Sequence, residues 1–234
     1  MSLSATTPAM SGPVLIIAGT DTDVGKTVFA AALAGALGAH YWKPVQAGLD
    51  AAGEGDSATV ARLSGLAAGR IVPEIWRLGT ACSPHEAAER DGVAINLADL
   101  VLPRVSGPLI VELAGGLMTP LSRSTTIIDL VARWVGSSPC SVILVARTAL
   151  GTINHSLLSL EALRARAVPV HGVAFVGDSQ PETESIIAAM GRVRRLGRLP
   201  FLDPLNRDTL AHAFRASFGR ADLSRADFAH GGLR

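Results

Sequence analysis

Aromatic side chains are scarce in this chain of 234 residues, at 4% of the total, so its core has to be built from Val, Ile, Leu and Ala. A core of that kind suits strands buried on both faces of a parallel sheet. Cysteine is nearly absent too. Cys82 and Cys140 stand far apart without metal-ligand spacing, which points to two reduced thiols in a cytoplasmic protein. Neither sign of charge is in excess: 21 basic side chains face 20 acidic ones, which leaves no basic stripe for nucleic acid. No apolar run reaches the length of a membrane span. Residues 1–13 carry no charged side chain and no long apolar core, and read as a loose tail rather than a signal peptide.

What is present is concentrated in residues 14–31, V-L-I-I-A-G-T-D-T-D-V-G-K-T-V-F-A-A. An apolar strand over 14–18 runs into a Gly-bounded loop, and an Ala-rich segment over 28–37 has good helix propensity. Strand, loop and helix in that order are the setting of a phosphate-binding loop. Its inward-facing amides and the positive end of the new helix solvate a polyphosphate. Lys26 is expected to reach the outer phosphates, and the Thr27 hydroxyl to hold Mg²⁺. The spacing is irregular: five residues, not four, separate Gly19 from Gly25, so that on strict spacing the motif begins at Thr20.

Downstream, apolar strands alternate with helical patterns. Strands are expected near 40–45, 108–112, 141–146, 170–176 and 196–199, with a short one near Ile71. Helices are expected at 57–64 (capped by Asp56 or Ser57), from Pro84, at 97–105 (capped by Asn96), and at 125–135, 152–165, 181–193 and 206–218. Residues 46–56 and 113–122 read as loops, and 219–234 as a polar tail. The pattern describes one doubly wound α/β domain over 14–218 with a mainly parallel sheet. Ligands bind such sheets at the carboxyl ends of the strands. Four loaded positions fall there: the phosphate loop, Lys43, Glu112 and the loop after Ala146.

Lys43 at a strand end can neutralise charge on a transferring phosphoryl group. Glu112 ends a buried strand, where a carboxylate is costly unless satisfied, and Mg²⁺ satisfies it. Thr27, Asp56 and Glu112 make a plausible metal set, although Asp56 also reads as a helix cap. The helix start at Gly151 offers free amides to an anion such as a carboxylate, and reads equally as an ordinary capped helix.

Five segments in order, G-T-D-T-D-V-G-K-T at 19–27, K-P-V at 43–45, S-P-H at 83–85, V-E-x-A-G-G with T-P-L-S through 111–122, and G-x-I-N-H at 151–155, resemble the dethiobiotin synthetase family across nearly the whole chain. The resemblance implies an ATP- and Mg²⁺-dependent closure of a cyclic urea on 7,8-diaminononanoate with CO₂, through a carbamate and a carbamic-phosphoric anhydride, in a homodimer. It implies Lys43 and Lys26 as catalytic residues, and Thr27, Asp56 and Glu112 as metal ligands. Nucleotide contacts are implied at Asp23, Val24, Gly25, Lys26, Thr27, Val28, Asp56, Glu112, Gly115, Gly177, Asp178, Pro200, Phe201 and Leu202. Substrate contacts are implied at Thr22, Lys43, Ala47, Pro84, Gly151, Ile153 and Asn154, the last three reaching substrate held mainly by the other subunit.

The sequence departs from the family at Ala47, where a hydroxyl residue is usual, at Leu113, and at Gly177-Asp178, where an adenine-reading Asn is common. Gly177 offers only backbone, so base choice is expected to be weak. Two other readings share this loop. A cobalamin-pathway amidoligase normally adds a glutaminase domain, for which there is no room after residue 220. A partitioning or septum-positioning ATPase carries a lysine early in the loop, where this chain has Thr20-Asp21-Thr22.

Overall fold

The computed structural model describes residues 12–219; residues 1–11 and 220–234, which make up nearly all of the two expected tails, lie outside the described residues. The elements run β1 (Val14–Gly19), α1 (Lys26–Leu37), β2 (His40–Trp42), β3 (Val45–Ala47), α2 (Asp56–Ser64), β4 (Ile71–Val72), β5 (Trp76–Leu78), α3 (Pro84–Arg90) and β6 (Leu109–Gly116). They continue α4 (Ile127–Ser137), β7 (Cys140–Arg147), α5 (Thr152–Ala165), β8 (Val170–Val176), α6 (Pro181–Met190), β9 (Arg195–Leu199) and α7 (Arg207–Ser217).

Seven strands form one parallel sheet in the order β4-β2-β6-β1-β7-β8-β9. β1 lies between β6 and β7 and is buried throughout. Its alternate residues feed two separate cores. Val14, Ile16 and Ala18 pack with α4, α5 and α6, whereas Leu15 and Ile17 pack with α1, α2 and α7. The sheet is therefore doubly wound, and the chain is a P-loop α/β domain. The few aromatic residues are spent at the layer contacts. Phe29 meets Phe214 and Phe218 at 5.9 and 5.4 Å between ring centres, and Trp42 meets Trp134 at 5.8 Å. Each buried ring of this size stabilises the fold by roughly 1.5–3 kcal/mol.

Several stretches differ from the sequence expectation: the strand expected over 40–45 ends at Trp42, β5 forms where irregular chain is expected, and the helix expected over 181–193 ends at Met190. Residues 97–105 form a turn and extended chain instead of a helix. Pro103 has no N–H and disfavours a helical residue before it. The Asn96 side chain accepts from the Ala98 amide in a local turn, and the Trp134 indole takes the Leu100 carbonyl at 2.7 Å. The expected loop 113–122 begins inside a strand, because β6 continues to Gly116, which pairs with Gly19. Gln46 and Ala47 likewise belong to β3, which leaves the main sheet at Pro44 and pairs with β5 in a second, two-stranded sheet. Finally, Gly55 is the N-cap of α2, and Asp56 is its first helical residue and not its cap. Among the described residues no helix is long and apolar enough to cross a membrane.

Candidate active site

The loop after β1 is closed by backbone that only some residues tolerate. Asp23 has φ 55° and Gly25 has φ 91°, and a Cβ on Gly25 would come within 2.7 Å of Val176. A Cβ on Gly19 would come within 2.7 Å of the Asp21 backbone carbonyl and 2.8 Å of the Lys26 side chain, so the irregularly spaced first glycine leaves room that a larger residue would fill. α1 starts immediately at Lys26, and its first helical bond is from the Phe29 amide to the Gly25 carbonyl. The amides before Phe29 therefore lack intrahelical partners and sit at the positive end of the helix. The Lys26 ammonium folds back to donate to the Asp21 carbonyl at 2.7 Å. Burial pulls it below its usual pKa, with Glu112 opposing the shift and Lys43 adding to it.

Behind the loop lies a network of charge. Glu112 is fully buried, and both of its oxygens are engaged. Oε1 accepts from the Thr27 hydroxyl at 2.7 Å and from Lys43 Nζ at 3.2 Å, and Oε2 accepts from the Tyr41 hydroxyl at 2.8 Å. Lys43 Nζ also donates to Asp56 Oδ2. Burial alone would lower the Lys43 pKa, but the Glu112 and Asp56 carboxylates together outweigh it and hold it above its usual value. Burial, then Glu112, push the Tyr41 phenol far up, so it remains a proton donor. Gln46 sets the position of Asp56: its Oε1 accepts from the Asp56 amide at 3.0 Å while its Nε2 donates to the Gly48 carbonyl at 2.8 Å.

These groups line a cleft of about 920 Å³ at the carboxyl ends of β1, β2 and β6. Thr22, Asp23, Gly25, Lys26, Thr27, Val28, Lys43, Ala47, Asp56, Pro84, Glu112 and Gly115 all belong to its wall. Val24, Asp178, Pro200, Phe201 and Leu202 line a second cavity of about 380 Å³, which shares Asp23, Gly25 and Val28 with the first. The phosphate loop is thus the partition between two chambers. Gly151, Ile153 and Asn154 line neither; they begin α5 with Ile153 and Asn154 exposed. Gly177 is absent from both walls as well. Its amide donates to the Leu199 carbonyl, its carbonyl accepts from Arg198 at 2.7 Å, and a Cβ there would meet the Thr148 hydroxyl at 2.4 Å. The fold itself asks for glycine at that position.

Sequence reasoning missed Tyr41, whose hydroxyl holds Glu112 Oε2. Tyr41 stands two residues before Lys43, on the same alternation of the strand, and nothing else local marks it. Oxygen donors from Thr27, Asp56 and Glu112 converge on one corner of the cleft, a hard set suited to Mg²⁺. Among the described residues no group of three His, Cys, Asp or Glu side chains could hold a metal, so a cation here depends on the hydroxyl and on the ligand's own oxygens.

Residues 14–209 match a protein-family model described as an AAA domain. The chain is 58% identical to the ATP-dependent dethiobiotin synthetase BioD of Rhodopseudomonas palustris strain BisB18, over 91% of this chain and 99% of that protein. It is 59% identical to the protein of the same name from Nitrobacter hamburgensis, over 89% and 96%, and 57% identical to that of Novosphingobium aromaticivorans, over 89% and 98%. Among solved structures, a ParA family ATPase from Chlorobium tepidum is similar at 13% identity with a TM-score of 0.49, covering 93% of this chain and 96% of that one.

Proposed function

The chain belongs to the ATP-dependent dethiobiotin synthetase family, and from that premise we propose how its cleft carries out ATP-dependent ring closure on a diamine with CO₂. The substrate, 7,8-diaminononanoate, captures CO₂ on one amine as a carbamate. A carbamate oxygen attacks the γ-phosphorus of ATP, and the P–O bond to ADP breaks. The second amine then attacks the carbonyl carbon, and phosphate leaves as the ring of dethiobiotin closes.

The observation that carries this reading is Lys43, a buried cation held by two carboxylates at the mouth of the phosphate loop. Charge that develops on the transferring phosphoryl group meets an ammonium already in place, which is the effect such sites exploit. Lys26 and the free amides of the first turn bind the outer phosphates. Thr27, Asp56 and Glu112 would hold Mg²⁺, which neutralises phosphate charge when bound. Ala47 and Pro84 shape the wall for the aliphatic diamine. The exposed start of α5, around Gly151, Ile153 and Asn154, is read as serving a second copy of the chain in a homodimer.

Incubation of the protein with 7,8-diaminononanoate, bicarbonate and MgATP should give dethiobiotin by mass, with one ADP per product. ATP turnover that is indifferent to the diamine would sink this reading.

A further inference from the structure

The second chamber contains a cation for which the fold provides no use. Arg147 is the last residue of β7 and lines the cavity with Thr148, Asp178 and Phe201. Its Nε is buried without a hydrogen-bond partner, and among the described residues its side chain forms no ion pair. Neighbouring arginines are engaged: Arg198 donates to the Gly177 carbonyl, and Arg195 forms a pair with Glu184. A guanidinium carries five donors and no acceptor and stays charged, so leaving it half-buried and unpaired is costly unless a ligand supplies acceptors. The phosphate loop stands between Arg147 and the first chamber, where the phosphates are bound, so the acceptor-bearing part of a nucleotide left for this chamber is the base. Gly177 cannot take a side chain, and its amide and carbonyl are both occupied.

We infer that Arg147 is a base-reading residue, which donates to ring nitrogen or carbonyl acceptors of the nucleobase, with Asp178 on the same wall free to accept from an exocyclic amine. The inference rests on reading the first chamber as the triphosphate site. It replaces weak base choice through Gly177 with choice made by a donor at the end of β7.

The test is calorimetric binding of ATP, GTP, CTP and inorganic tripolyphosphate, each with Mg²⁺, to the wild-type chain and to Arg147→Met. The variant should bind ATP about tenfold more weakly, the scale of a lost guanidinium–base contact, and tripolyphosphate as before. Arg147→Lys keeps the charge but not the planar fork, guards against misfolding of the first variant, and should show a smaller loss, again confined to nucleotides. An equal loss for ATP and tripolyphosphate, or no loss for either, overturns the role of Arg147. If tripolyphosphate does not compete with ATP on the wild-type chain, the reading of the phosphate site fails first and the inference falls with it.

Discussion

At the scale of single residues, Lys43 satisfies two carboxylates at once, so its removal has two separable effects. Lys43→Ala should lower turnover by roughly 10²–10³-fold, the usual cost of losing one preorganised charge, while nucleotide affinity changes little. The same change strands Glu112 without its cation and should cost about 3–5 kcal/mol of stability, less if Glu112 takes up a proton. Near-normal kcat in the folded variant would remove Lys43 from the chemistry. Tyr41 acts one step further back, because its hydroxyl occupies Glu112 Oε2 and leaves Oε1 to face Thr27 and Lys43. Tyr41→Phe should therefore raise the Mg²⁺ concentration needed for half-maximal activity, and for Mg²⁺-dependent nucleotide binding, by about tenfold. A Mg²⁺ titration that overlays the wild type would reduce Tyr41 to a packing residue.

At the scale of elements, α4 shows how local chemistry fixes an end. Thr126 and Asp129 form a capping box, and the Thr126 amide and hydroxyl both donate to Asp129 Oδ2, at 2.9 and 2.7 Å. The backbone bond from Thr126, followed by the hydroxyl bond, holds the Asp129 carboxyl below its usual pKa. A carboxyl depressed in the folded state adds stability that is present above its unfolded pKa and is lost as pH falls through the folded one. Asp129→Ala should therefore lower stability by about 1 kcal/mol at neutral pH. The gap between variant and wild type should begin to narrow as pH falls below about 4 and close only below the folded-state pKa, and equilibrium unfolding from about pH 2 to 7 would reveal a gap that does not narrow. The longest regular elements are legible in sequence: the strand at 170–176 and the helix at 152–165 match residue for residue, whereas the caps expected at Asp56 or Ser57 and at Asn96 do not form as such. Residues 97–105 were not legible, because helical apolar spacing there lost to Pro103 and to an indole reaching from α4. Of the site, the loop, Lys43 and Glu112 could be read from motif and strand-end position. Tyr41 and Arg147 could not, since each matters through a partner, or the lack of one, remote in sequence.

At the scale of the whole molecule, the charges of the cleft satisfy one another: Lys43 is paired with Asp56 and Glu112, and Lys26 donates to the Asp21 carbonyl. Mg²⁺ alone would have to compete with Lys43 for the carboxylates, so it should leave the melting temperature almost unmoved. Mg²⁺ with ATP brings its own phosphate oxygens, and at a hundred times its Kd should stabilise the fold by about 2.7 kcal/mol. In a chain of this size that is a rise of roughly 5–10 °C. A comparable rise with Mg²⁺ alone would show a preformed metal site.

The partition made by residues 23–28 has an evolutionary corollary. The tools that break the phosphoanhydride and the tools that inspect the base stand on opposite sides of one loop, carried by different strands. Drift among the inspecting residues therefore leaves the bond-breaking apparatus untouched. A lineage descended from this chain could exchange one energy currency for another by changing Arg147 and Asp178, without relearning how to close the ring.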